Sequence, residues 1–213
     1  MASRTRTTSQ RISEDNPTVQ CAEKTSATVQ RLAPELLCEI FFHCVPDDTD
    51  SCRSIRIRSR GPLLLGRICQ MWRIVSYSSP ELWSRFAVGD DHSKNVEFEK
   101  DFKAMKHWIS KSGSQPLSLL IYYPGHFTDG ALLPPIFEIL VSPSWRWKEI
   151  TLTVPCDFED TVLAPFRTGN LPQLVNFDST TMRRRSREQG SPEFILSSAP
   201  QLQSLRHNGE GAD

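Results

Sequence analysis

The side chains of this sequence that are equipped for chemistry are five histidines, six cysteines and a few paired carboxylates. His43, His92, His107, His126 and His207 are scattered, and no serine or cysteine near them stands in a nucleophile-elbow context. His43 borders an apolar helical stripe and reads as a surface or boundary histidine. Cys21, Cys38, Cys44, Cys52, Cys69 and Cys156 form no CxxC pair and have no companion histidine at zinc spacing, so no metal site is expected. Cys38, Cys44 and Cys69 lie in apolar periodic segments, where a thiol behaves as a small hydrophobe. With no export signal in view, reduced thiols are expected rather than a disulfide framework. The ten glycines build neither a G-x-G-x-x-G turn nor a Walker loop, and no cofactor is expected. Asp47-Asp48, Asp90-Asp91 and Glu159-Asp160 read as solvated turns. A hydrolase built on Cys156 or a serine would need a histidine and an acid brought together from distant parts of the chain.

Charge adds little. The 213 residues carry 25 basic and 25 acidic side chains, so no net field favours nucleic acid or an anionic membrane. Two arginine clusters, Arg53/Arg56/Arg58/Arg60 and Arg183/Arg184/Arg185/Arg187, read as solvated loops, and neither is interleaved with the aromatics that single-strand binding uses. Nuclear import is the other reading of these clusters. The longest apolar runs, such as Ile40-Phe41-Phe42 and Leu63-Leu64-Leu65, are far too short to span a bilayer.

The elements fall into two groups. Residues 1–29 read as a disordered tail. Pro34 to Cys44 predicts a helix: proline suits the first turn, Glu35 sits at the positive end of the dipole, and Leu36, Leu37, Ile40, Phe41 and Cys44 recur at helical spacing. After a polar loop over 47–61, a second helix opens near Pro62 and carries Leu64, Leu65, Ile68, Cys69, Trp72 and Val75. Ser79-Pro80-Glu81 introduces a short third helix with Leu82, Trp83 and Phe86. The three are expected to pack around Ile40, Leu64, Ile68 and Trp72. An amphipathic helix then runs over about 95–111, with Gly113 as its C-cap.

Beyond it the pattern alternates between strand and helix. Residues 117–123 and 149–154 predict strands, with a helical piece over 135–141 between them. Trp147-x-x-Ile150, Leu174-x-x-Phe177 and Leu202-x-x-Leu205 share one skeleton, with starts 27 (174 − 147) and 28 (202 − 174) residues apart. That period, with a short apolar strand in each unit, suits a leucine-rich-repeat solenoid. Strands near 117–123, 149–154, 173–178 and 202–206 are therefore expected to lie parallel in one curved sheet. The fold class expected is α+β: a small three-helix unit followed by a short, incomplete α/β repeat region.

Three ordered blocks of the N-terminal unit resemble the F-box motif in the form common among mushroom-forming fungi. Leu32-Ala33-Pro34-Glu35-Leu36-Leu37 through Ile40-Phe41 is similar to its opening. Leu64 through Ile68-Cys69-Gln70-Met71-Trp72-Arg73 is similar to its centre, and Ser79-Pro80-Glu81-Leu82-Trp83 to its end. The sequence departs from the motif at Ala33, where the family has proline, and in a longer loop between the first two helices. The resemblance divides the chain into a tail (1–29), an F-box (30–88), and a linker helix with a partial leucine-rich-repeat-like region (89–213).

The resemblance implies a non-enzymatic, substrate-recruiting subunit of a Skp–cullin ubiquitin ligase, acting in the cytoplasm or nucleus and in ubiquitin-dependent degradation. Its partners would be a Skp-type adaptor, through it a cullin scaffold, and an unidentified protein substrate; neither nucleic acid nor membrane is implied. The matching positions for adaptor binding are Leu32, Pro34, Leu36, Leu37, Ile40, Phe41, Leu64, Ile68, Trp72 and Trp83. The other reading is a repeat-type protein-binding module with a degenerate F-box, working outside any ligase. Apart from the resemblance, small helices with such wide apolar stripes leave a face uncovered, which on a soluble protein is usually a binding surface.

Overall fold

A computed structural model describes residues 32–45, 55, 61–89, 98–124, 133–183 and 194–211. The expected tail, Asp47-Asp48, Asp90-Asp91, the first arginine cluster and Arg184, Arg185 and Arg187 lie outside the described residues.

The first helix, α1 (Pro34–Cys44), forms where the spacing predicts it, with Pro34 in its first turn and Glu35 beside it. Leu37 and Phe41, one turn apart, are buried. The next apolar run is not one helix. It divides into α2 (Gly61–Leu65) and α3 (Gln70–Ser78) because Cys69 takes an extended conformation. There its Sγ accepts the Trp72 N–H at 3.5 Å and caps α3. Arg73 braces the break, its Nε donating to the Gly66 carbonyl at 2.7 Å.

Breaking the run resets the helical phase. The unit packs around Leu37, Phe41, Leu65, Val75, Leu82 and Trp83, while Ile40, Leu64 and Ile68 lie exposed and Trp72 is half-buried against the Phe41 ring. The expected core of Ile40, Leu64, Ile68 and Trp72 is thus corrected. The expected third helix is also shorter. Pro80–Trp83 is a 3-10 turn, and Phe86 belongs to a strand that follows after the single residue Ser84.

That strand is β1 (Arg85–Gly89), the first of five. It is followed by α4 (Phe98–Lys111), β2 (Leu117–Tyr122), α5 (Leu133–Val141), β3 (Trp147–Pro155), α6 (Glu159–Thr168), β4 (Asn176–Arg183) and β5 (Ser204–Gly211). Among the described residues the chain is therefore mixed α/β, with six α-helices and one five-stranded sheet. The strands lie in chain order and every neighbouring pair is parallel. Ile150 pairs with Phe177 and Phe177 with Leu205, so the period counted in the sequence appears as a row across the sheet. The last two strands begin later than expected, at 176 and 204. Glu159-Asp160 opens α6 instead of forming a solvated turn, and Glu159 is buried.

Alternation sorts each strand onto two faces. Phe86, Leu119, Ile150, Phe177 and Leu205 form one inward row; Val88, Ile121, Leu152, Ser179 and His207 form the next. Aromatic contacts show what covers them: Phe86 meets Trp108 of α4, and Phe177 meets Phe166 of α6. The helices lie side by side, α4 on α5 and α5 on α6. Buried Arg146 ties the end of α4 to the turn before β3, donating to the carbonyls of Gln115 (2.9 Å) and Ser112 (3.4 Å) and to Ser112 Oγ (2.6 Å). Burial lowers the pKa of that guanidinium. At the outer edge of β1 the Ile55 N–H donates to the Ala87 carbonyl, and Ile55 is itself buried.

Two expectations follow. Gly89 has φ +92°, and a Cβ there would stand 1.9 Å from the Tyr122 carbonyl oxygen. Gly89→Ala should destabilise the protein by at least about 1–3 kcal/mol from backbone strain alone, read by urea denaturation. Phe41→Ala should cost about 3–5 kcal/mol as a core truncation, whereas Ile40→Ala, its exposed neighbour, should stay within about 0.5 kcal/mol of the parent. Equal losses at the two positions would return Ile40 to the core.

Candidate interaction surface

Among the described residues, seven of the ten exposed large hydrophobic side chains belong to the N-terminal helices: Leu36, Ile40 and Phe42 on α1, Leu64 on α2, Ile68 just after it, and Ile74 and Tyr77 on α3. Ile74 is 61% exposed, Leu36 and Ile68 56% each. α1, α2 and α3 all pack on one another, so these side chains ride on one small unit. Leu36 and Ile40 share a face of α1 at a spacing of four, and Ile74 and Tyr77 share a face of α3 at a spacing of three.

The ten positions matched by the motif divide into three groups. Pro34, Leu36, Ile40, Leu64 and Ile68 are exposed. Leu32 and Trp72 are half-buried. Leu37, Phe41 and Trp83 are fully inside and can only support the surface from beneath. Phe42, Ile74 and Tyr77 were missed by sequence reasoning. For the last two the signal was hidden by the helix break: running one phase from Leu64 to Val75 puts the inward face of α2 onto α3.

A second surface is the side of the sheet opposite the helices. Its rows read Arg85, Ser118, Glu149, Asn176, Ser204 and then Ala87, Leu120, Thr151, Asp178, Arg206. None of the exposed large hydrophobics lies on it. Apart from buried Ala87 and half-buried Leu120 it carries hydroxyls, amides and charges: buried Ser118 donates its Oγ to Glu149 Oε2 at 3.2 Å, and Arg206 stands 4.0 Å from Asp178. Arg85, at one end of the first row, places its guanidinium 5.4 Å from the Phe42 ring centre, joining this face to α1.

The structure does bring a serine, a histidine and an acid together. Ser179 Oγ lies 2.8 Å from His207 Nδ1, and His207 Nε2 lies 3.0 Å from Glu159 Oε1, though not aligned for a hydrogen bond. Ser179 has no exposed surface, faces the helices, and its histidine is covered by the Phe194 ring at 5.6 Å. The Ser179 hydroxyl is closed off from solvent, and this set of polar groups joins β4, β5 and the start of α6. Cys156 is buried as well. Among the described residues no cluster of His, Cys, Asp or Glu suits a metal ion, and no helix is long and apolar enough to cross a membrane.

Compared with known proteins, the chain matches no family model, no curated protein and no solved structure.

Proposed function

We propose that this protein is a substrate-recruiting adaptor of the F-box type, which docks a Skp-type adaptor on its N-terminal helices and a protein substrate on the open face of its sheet. The observation that carries this reading is the apolar surface of α1, α2 and α3. Leu36, Ile40, Leu64 and Ile68 of the resemblance are exposed on or next to these helices, and so are Ile74 and Tyr77 on α3. Full burial of such a side chain is worth about 1.5–3 kcal/mol, and because these are already about half covered each adds about 1 kcal/mol, so several together supply a driving force for association. The all-parallel sheet, whose β3–β4 and β4–β5 pairings repeat at 27 and 28 residues, is of the kind a leucine-rich-repeat-like region would build, and its polar side offers a surface to an extended partner segment. Such a protein does no bond-making itself. It raises the effective concentration of substrate lysines near a charged conjugating enzyme, in the cytoplasm or nucleus, with the cullin held through the adaptor.

Ala33 favours the other reading, a protein-binding module outside any ligase. It is the residue just before α1, where the motif has proline. Capture of a purified Skp-type adaptor separates the two.

Leu36→Asp and Ile40→Asp test the surface, because both side chains are exposed and the fold does not depend on them. Each should keep the parental circular dichroism and melting temperature. Each should weaken adaptor capture more than about a hundredfold, the equivalent of about 3 kcal/mol, by leaving a charge in a dry interface. A folded Leu36→Asp protein that binds as the parent does would remove this face from the interface. Thr151→Arg, on the open face, should leave adaptor capture unchanged and lose a substrate identified with the parent protein.

A further inference from the structure

We infer that the docking surface continues from the apolar helices onto α4, whose lysine stripe meets an acidic rim on the same partner; the inference rests on the adaptor reading above. α4 carries Lys100, Lys103, Lys106 and Lys111 on a chain of zero net charge. At about 100° per residue these four and His107 fall within an arc of about 140°, along a helix of roughly 20 Å. Met105 and Trp108 occupy the buried side. One carboxylate, Glu99, shares the stripe. It is 2.6 Å from Lys103, whose hydrogen bond and positive charge lower its pKa. Asp101 is no counter-charge at the surface, since it is buried with its carboxylate on the Tyr123 hydroxyl at 2.8 Å. Lys106 and Lys111 meet no carboxylate among the described residues.

What joins this stripe to the apolar surface is Tyr77. Its ring is partly exposed at the end of α3, beside Ile74. The Lys111 ammonium lies 5.1 Å from its centre and the His107 ring 6.5 Å away. A partner that covers Ile74 and Tyr77 therefore arrives with its margin over Lys111 and Lys106. Charge complementarity then specifies that margin: carboxylates, set beside an apolar groove. Nucleic acid suits this site less well, because Ile74 beside Tyr77 on α3 offers a phosphate backbone nothing.

Such rim charges act mainly on the rate of encounter and on its salt dependence. The test is the association rate of the purified Skp-type adaptor with the full chain at 50 and 300 mM salt, for the parent, for Lys106→Glu/Lys111→Glu, and for Lys106→Gln/Lys111→Gln in case charge reversal disturbs folding. The inference expects the parent to associate about tenfold faster at low salt, and the variants to lose most of that dependence while keeping their helicity. Folded lysine variants with parental rates and salt dependence would overturn the lysine stripe and leave the adaptor reading standing, which Leu36→Asp tests by loss of capture at both salts. A parent that never captures the adaptor removes both. Salt-sensitive binding of a labelled 20-mer duplex by the parent, lost in the variants, would assign the stripe to nucleic acid and overturn the inference.

Discussion

Trp83 has no exposed surface and touches nearly everything that makes this chain one body. Its indole N–H donates to the Ser76 carbonyl at 2.8 Å near the end of α3, and its ring meets Tyr77 at 5.3 Å and Trp108 of α4 at 5.0 Å. A short three-helix unit cannot bury enough apolar surface to be robust alone. Here it shares its core with the sheet, and a continuous set of buried side chains runs from Leu37 to Ala199. Trp83 is the point where the two halves of that core meet, and its N–H is satisfied there rather than stranded. The exposed residues Leu36, Ile40, Ile68 and Ile74 are free to face outward because Trp83, Phe41 and Leu37 hold the unit together from within.

Local patterns of the sequence carried much of this fold. α1 was legible because proline, an acidic first turn and a wide apolar stripe all agree on one element. The row Ile150–Phe177–Leu205 was legible because stacked parallel strands return the same residue type at a fixed interval. What failed were cases where a long-range contact decides. Ile68 looked like core because one helical period was extended across Gly66–Cys69, and only the Arg73 bond to the Gly66 carbonyl and the Cys69 cap reveal the break. β1 is five residues next to a proline-led turn, and it is a strand because β2 lies beside it. α6 has two acids in its first turn, which favour a helix, but Pro165 inside it weakens the signal, and packing of Val162, Leu163 and Phe166 overrides that.

The candidate surface followed the same division. Which residues are apolar and helical is written locally, so the side chains of α1, α2 and α3 that could line a surface were legible. Whether each faces the core or the solvent depends on helix phase, and there Leu37, Phe41 and Trp83 fell on the inner side. The inward rows of the sheet also change character along the stack, from Val88, Ile121 and Leu152 to Ser179 and His207. The last strand is thus joined by polar contacts with Glu159, where its predecessors are joined by packing. No composition count reveals that gradient, because serines and histidines also stand on helices and on the other face of the sheet, as His107 and Ser118 do.

Ser84 is the whole connection between the turn that ends the helical unit and the first strand of the sheet. Its carbonyl accepts the Ser118 N–H at 3.0 Å, so even this joint is sewn into β2. The molecule has no hinge there. Two partners seated on its two faces would keep one separation and one mutual angle, as objects on the arms of a set square do.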